Sequence, residues 1–201
     1  MPKQVDHESR RRLIAGAVCR LADERGLEGV TLRDVAARAQ VSMGAVQRCF
    51  RTKEEMLLFA LAHVGERIAE RVRDRVVRSP AQSAATALGH AATEVSLLRA
   101  EHRAEARVWL AFVAQAAVSA PLAGALRANY GALEESFTRL VAEAADDAGL
   151  AGAALDPGCE ARALLALADG LTAHVLIGHL TSEEAQEVLH AHLGRLWAHS
   201  G

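Results

Sequence analysis

The chain has 201 residues, 51% of them hydrophobic, enough to bury a substantial core in one or two domains. Aromatic residues make up only 3% and prolines number four, while alanine and leucine dominate, so helices are favoured and strands are not. The net charge of −2 hides an asymmetry, because residues 1–53 carry 11 Lys and Arg against 6 Asp and Glu (+5) and residues 54–201 carry 12 against 19 (−7). A basic head on an acidic body suits a protein whose head alone meets a polyanion.

Other classes fit poorly. Cys19, Cys49 and Cys159 are odd in number and lack CxxC spacing, so neither a disulfide framework nor a zinc site is expected, and reduced thiols in a cytoplasm fit better. Cys49 reads as a small buried filler rather than a thiol switch. The beginning of the chain lacks the apolar run of an export signal. Ala163–Leu180 is nearly long enough to span a membrane, but Asp169, His174 and His179 interrupt it, and one central Asp costs about 2.5–3.5 kcal/mol on insertion. No cofactor, metal or catalytic constellation is expected: there is no nucleophile elbow, phosphate loop or metal-ligand spacing.

In chain order, Lys3, Arg10, Arg11 and Arg12 read as a basic arm that either reaches a flanking groove or is a solvated tail. Leu13, Ile14, Ala17, Val18 and Leu21 then recur at helical spacing up to Gly26, a natural C-terminal residue. Thr31 with Asp34 has the form of a capping box, which opens a helix at Leu32 with Val35, Ala36 and Ala39 inward. Gln40-Val41 is the turn, Ser42 the next cap, and Met43 to about Cys49 a second short helix. Phe50 is the expected core anchor. Thr52 and Glu55 repeat the box, so a longer helix starts near Lys53 and buries Met56, Leu57, Ala60, Leu61 and Val64.

The body reads as helices over about 53–78, 81–99, 101–118, 121–148, 158–180 and 183–198, with Ser79-Pro80, Ala120-Pro121 and Gly149–Gly158 as punctuation. Arg67, Arg71, Arg75 and Arg78, beside Glu66, Glu70 and Asp74, read as a solvated, salt-bridged stripe. His190 and His192 point to different sides of their helix and are not expected to share a metal.

Two short helices and a third helix start at this spacing form a DNA-reading helix-turn-helix. On the second helix, Met43 and Ala45 suit thymine methyls, Gln47 pairs bidentately with adenine, and Arg48 reaches guanine or phosphate. Gly44 belongs to the same set. Thr31, Ser42 and Lys53, at or beside helix N-termini, suit phosphate oxygens, and Arg12 and Arg33 complete the expected DNA-contacting residues.

The head resembles the TetR family of one-component bacterial repressors, on Thr31, Val35, Ala36, Val41, Ser42, Gly44, Phe50 and Lys53. It departs from the family pattern at Gln47, where a phosphate-contacting Tyr is usual, at Cys49, where His or Tyr is common, and at Gln40, where a turn Gly is usual. A left-handed Gln40 would cost about 1 kcal/mol relative to Gly. More loosely, Trp109-Leu110-Ala111-Phe112, the helix around Tyr130 and Asp169-Gly170-Leu171 resemble betaine-regulator-type members. The resemblance implies an all-α homodimer of about nine helices, with a helix-turn-helix head over residues 1–60 and a ligand-binding and dimerisation body over 61–201. It also implies release of an operator when a small molecule enters the body.

Two faces of the Asp169 helix are apolar, and small residues on one of them, Ala163, Ala166, Gly170 and Ala173 with Ile177, allow close helix approach. With Leu189, Leu193, Leu196 and Trp197 of the last helix, they are expected to pair with their twofold mates and so present two reading helices to a palindrome. The effector pocket is expected among Trp109, Phe112, Gln115, Tyr130 and Phe137, with Glu94, Asp169 and His174 as polar contacts. The expected partners are thus an inverted-repeat DNA operator, a small-molecule effector and a second copy of the chain, with no membrane, in a cytoplasmic protein that joins the nucleoid when DNA-bound. The rival readings are a small-molecule-binding or thiol-sensing helical protein without sequence-specific DNA binding, and an enzyme.

Overall fold

The computed structural model describes residues 2–77, 83–149 and 155–198. Arg78, Ser79, Pro80 and positions 150–154 of the last expected break lie outside the described residues, as does the side chain of Lys3. Among the described residues there are nine α-helices and no strand.

The head is built from α1 (Pro2–Arg25), α2 (Leu32–Arg38) and α3 (Met43–Cys49), followed by α4 (Lys53–Val77). The body comprises α5 (Ala84–Val95), a 3-10 turn (Ala100–His102), α6 (Arg103–Ala116), α7 (Ala120–Asp147), α8 (Pro157–Leu176) and α9 (Ser182–Ala198). No described helix is long and apolar enough to cross a membrane.

Local chemistry explains most helix starts. The Thr31 hydroxyl accepts from the Asp34 N–H at 3.2 Å, and Ser42 Oγ accepts from the Ala45 N–H at 3.2 Å. At α4, Thr52 Oγ1 accepts from the Glu55 N–H at 3.0 Å while the Glu55 carboxylate accepts from the Arg51 N–H at 2.8 Å. Asp156 caps α8 through the N–H groups of Gly158 and Cys159, with Pro157 in the first turn, where its missing donor costs nothing. Gln40 has φ 56°, so the tight turn between α2 and α3 does take the left-handed conformation.

Three elements differ from the sequence expectation. The segment expected as a basic arm is helical, so Arg10, Arg11 and Arg12 lie inside α1. Arg11 is held there by tertiary contacts: its guanidinium lies 4.8 Å from the Phe50 ring centroid, 4.3 Å from that of Phe59 and 3.7 Å from Glu55. Such stacking is worth about 0.5–2 kcal/mol. α5 stops at Val95, four residues early, because Leu97 turns left-handed at φ 50°. α8 stops at Leu176, followed by Gly178 at φ 75°.

The chain divides into two compact units. The first comprises residues 1–67 and 107–127, the second 68–106 and 128–201, so α4, α6 and α7 each supply residues to both. In the first unit Ile14, Val18, Val35, Val46, Phe50, Met56 and Leu61 are at most 1% exposed. In the second, α5 packs on α8 and α9 around Leu88, Leu98, Phe137, Val141, Leu164 and Leu189.

Candidate functional site

The first site is the surface of the helix-turn-helix. α3 is pinned by the Ser42 cap, by Val46 and Cys49 on its buried side and by Phe50 at its end. Its other side carries Met43, Gln47 and Arg48, all exposed, with Gly44 half-buried. Ala45 faces inward at 8% exposure and so leaves the set of outward side chains assigned to base edges. A Cβ added at Gly44 would meet only Arg48 Nη1, at 3.6 Å, so nothing in the protein's own packing requires a glycine there.

Around α3 lie exposed Thr31, Arg33, Ser42 and Lys53, and Arg12 is exposed on α1. Thr31 directs its hydroxyl at Asp34 Oδ2, 2.7 Å away, so the hydroxyl is already engaged in holding α2. Arg12 meets Glu8 at 3.3 Å. α2 is fixed to α1 by a bidentate fork in which Arg38 donates to both Glu24 oxygens at 2.6 Å. That fork holds the Glu24 carboxyl below its ordinary pKa and raises that of Arg38. Cys49, next to this surface, is 5% exposed.

The second site is a cavity of about 520 Å3 within the second unit, lined by Arg71, Asp74 and Arg75 of α4, His90 and Glu94 of α5, and Arg99, Glu101 and His102 beyond it. Arg71 and Arg75 are four apart, as are His90 and Glu94, which puts each pair on one helix face. Glu94 is 3% exposed and faces Arg99 at 3.4 Å, Arg71 at 3.6 Å and Arg75 at 3.9 Å. Arg71 also meets Glu105 at 2.5 Å. Burial, reinforced by the nearby Arg71 cation, pushes the His102 imidazole below its ordinary pKa.

Of the eight residues expected to face an effector, Glu94 lines this cavity and the other seven do not. Trp109, Phe112 and Gln115 belong to the first unit, with Phe112 fully buried. In the second unit, the Tyr130 hydroxyl donates to Asp169, Phe137 is buried, and His174 is exposed with its ring edge-on to His179. The stripe of Arg67, Arg71 and Arg75, expected to be solvated and salt-bridged, is salt-bridged through Arg71 and Arg75 to Glu94, with Arg67 and Arg75 exposed and Arg71 half-buried. Its signal in the sequence was a pair of arginines at helical spacing, whose buried partner lies on a different helix.

The expected pairing residues separate into two groups. Ala163, Ala166, Gly170 and Ile177 are exposed along α8, Ile177 at 77%, and Ala173 is half-buried. Leu189, Leu193 and Leu196 instead lie in the core of their own unit, with Trp197 packed against it, because α5 and α8 already cover that side of α9. Val188, 42% exposed, and Ala191 are apolar α9 side chains left outward. No three described His, Cys, Asp or Glu residues are grouped so as to hold a metal ion.

Residues 14–59 match the profile of bacterial regulatory proteins of the tetR family, and residues 84–198 match that of the BetI-type transcriptional repressor, C-terminal. The HTH-type transcriptional regulator PksA of Bacillus subtilis (strain 168) is 33% identical over 179 residues, covering 88% of this chain and 83% of that protein. A crystal structure of a transcriptional regulator from Rhodococcus sp. Rha1 superposes with a TM-score of 0.79 at 30% identity, over 92% of this chain and 95% of the other. A putative transcriptional regulator from Saccharomonospora viridis, crystallised in complex with choline, shares the fold at 21% identity with a TM-score of 0.80, over 93% and 96% of the two chains. A capped helix-turn-helix with one exposed helix side, an all-helical remainder and these matches across both halves lead to one conclusion: the chain belongs to the TetR family of DNA-binding transcriptional regulators.

Proposed function

We propose that the protein is a cytoplasmic repressor, acting as a homodimer on an inverted-repeat operator and released from it by a small molecule. The observation that carries this reading is the outward set on α3, Met43, Gly44, Gln47 and Arg48, on a helix fixed from its other side. Gln47 pairs with adenine and Arg48 with guanine or phosphate, while Met43 meets thymine methyls. Ser42, Lys53, Arg33 and Arg12 contact the phosphate backbone and set register, with Thr31 holding α2 in place for them.

The exposed Ala163, Ala166 and Gly170 face of α8, with Ile177 at its C-terminal end, supports twofold pairing. Small residues let two helices approach closely, and an isologous interface sets two heads on symmetric half-sites. The choline held by the Saccharomonospora viridis protein supports small-molecule binding in a body of this fold without naming the ligand here. α4 begins with Lys53 in the head's unit and carries Arg71 and Arg75 to the cavity of the second unit. An effector that prefers one arrangement of this helix shifts the population of DNA-competent dimers, whereas equal affinity for both arrangements shifts nothing. Trp109, Phe112, Gln115, Tyr130, Phe137, Asp169 and His174 then act from outside the cavity, as packing or as the frame for α7 and α8.

Selection from random duplex DNA tests the reading. An inverted repeat should emerge, and Lys53→Ala should weaken binding to every sequence and lower the salt slope by about one. Failure to enrich any sequence at low salt would favour the rival, a helical ligand-binding protein without sequence-specific DNA binding.

A further inference from the structure

We propose that the cavity formed by α4, α5 and the 3-10 turn binds a small monocarboxylate that also carries a hydroxyl or ammonium group, the hydroxy-acid or amino-acid class. The inference rests on the effector reading above and names the chemistry of the effector. At about 520 Å3 the cavity has the size of a small-molecule site, but its eight lining residues are all charged or imidazole side chains. All eight end in a charged or imidazole group, so an effector without polar groups of its own would leave those ends unmatched.

The charges narrow the class further. Arg71, Arg75 and Arg99 stand against Asp74, Glu94 and Glu101, three of each sign, so a polyanion such as a nucleotide would not be neutralised. A lone cation would face three guanidinium groups. Arg75 meets Glu94 across 3.9 Å, and Arg99 meets Glu94 across 3.4 Å and Glu101 across 3.6 Å, all longer than the 2.7–2.9 Å of a close charge-assisted hydrogen bond, so their forks suit a planar carboxylate that approaches more closely. Glu94, buried in the lining, accepts from the ligand's hydroxyl or ammonium group.

Unsatisfied polar atoms point the same way. His102 is 8% exposed, and its Nδ1, together with His90 Nδ1, is buried without a hydrogen-bond partner. Buried polar groups left this way cost stability unless something completes them. The segment that brings Arg99, Glu101 and His102 to the cavity follows the left-handed, buried Leu97, and the preceding Ser96 carbonyl accepts from the Thr172 hydroxyl of α8 at 2.5 Å. Backbone strain of this kind gathers at ligand clamps and switch regions. A carboxylate drawn onto Arg99 therefore acts on the junction tied to α8.

The test is isothermal titration of the full-length protein with a panel of hydroxy- and amino-monocarboxylates of three to eight carbons, beside the matching unsubstituted carboxylates, choline and inorganic phosphate. At least one donor-bearing monocarboxylate should bind, and its unsubstituted counterpart should bind more weakly. Arg75→Gln, at an exposed lining residue, and Arg99→Lys should each lower affinity roughly tenfold or more, the factor one charge-assisted hydrogen bond carries, while Arg139→Gln, exposed on α7 away from the lining, should not. Binding by none of the panel, preference for choline or phosphate, or affinity indifferent to both cavity variants overturns the proposal. Operator binding, measured in parallel by anisotropy, separates the two levels. Operator binding with no panel ligand sinks this inference alone, whereas a ligand that leaves operator affinity unchanged sinks the release reading.

Discussion

Gly44→Ala separates what the protein needs for folding from what it needs for reading DNA. Gly44 is the second residue of α3, and a methyl group there would meet Arg48 Nη1 at 3.6 Å, the flexible end of an exposed side chain, with nothing else within 4 Å. The substitution therefore creates no internal clash, and replacing Gly by Ala near a helix end should stabilise the head by about 0.5 kcal/mol, half the interior difference. If α3 lies in the major groove, the same methyl enters a packed interface, where overfilling costs about 1–3 kcal/mol. With two heads in the proposed dimer that becomes about 2–6 kcal/mol, or roughly 30-fold to more than 10,000-fold in operator affinity. Fluorescence anisotropy with the selected operator and a scrambled duplex at one salt concentration reads the effect, and thermal unfolding reads the stability. Operator affinity should fall while scrambled-duplex binding, carried by phosphate contacts, changes little. A variant that binds the operator as tightly as the parent chain would refute the placement of this side of α3 in the groove, and a lowered melting temperature would refute the packing argument.

Three further outcomes follow from the same physical chemistry. Gln40→Gly removes the left-handed strain at φ 56° and should raise stability by up to about 1 kcal/mol, a rise of a few degrees in Tm; a fall would show that the Gln40 side chain makes a compensating contact. Ile177→Asp places a charge on a side chain 77% exposed in the single chain. If the proposed interface buries it, losing that burial, about 1.5–3 kcal/mol per protomer, should dissociate the proposed dimer in sedimentation equilibrium while leaving helical content intact, and an unaffected dimer would move the proposed interface off this end of α8. Because burial and Arg71 hold the His102 pKa below its ordinary 6.5, the unfolded chain takes up that proton first as pH falls. The His102 contribution is thus complete above about pH 6.5 and is lost progressively below it. His102→Gln should flatten the decline in stability between pH 7 and 5 relative to the parent chain, and an identical decline in both would remove His102 as a source.

How far each site could be read from sequence depended on the distance between its partners. The head was legible because its signals are local: Thr31 with Asp34, Ser42 with Ala45 and Thr52 with Glu55 are all three residues apart, and capping needs no tertiary knowledge. Where the head was misread, a long-range contact decided the structure, since the ring faces that hold Arg11 in α1 come from Phe50 and Phe59. In the body, helix existence followed from periodicity, but the end of α5 did not. A buried Leu97 at φ 50° has no sequence signature, and Thr172 braces the junction from 76 residues away. The end of α8 was marked by Gly178 and could have been read.

Apolar stripes have a different ambiguity, because a stripe announces that a cover is needed without naming it. Leu189, Leu193 and Leu196 are covered by their own unit, whereas Ala163, Ala166 and Gly170 remain exposed, and hydrophobic pattern alone treats the two groups alike. Charged stripes follow the same logic with opposite sign: Arg71 and Arg75 read as part of a solvated, salt-bridged stripe, and pattern alone did not name Glu94, 23 and 19 positions further on, as their buried acceptor. The two candidate sites differ for this reason. The DNA-reading surface is written within one short, locally capped segment whose chemistry can be compared directly with relatives. The cavity is assembled from three segments whose charges balance only after folding, so its ligand preference belongs to the arrangement of this particular chain more than to any motif within it.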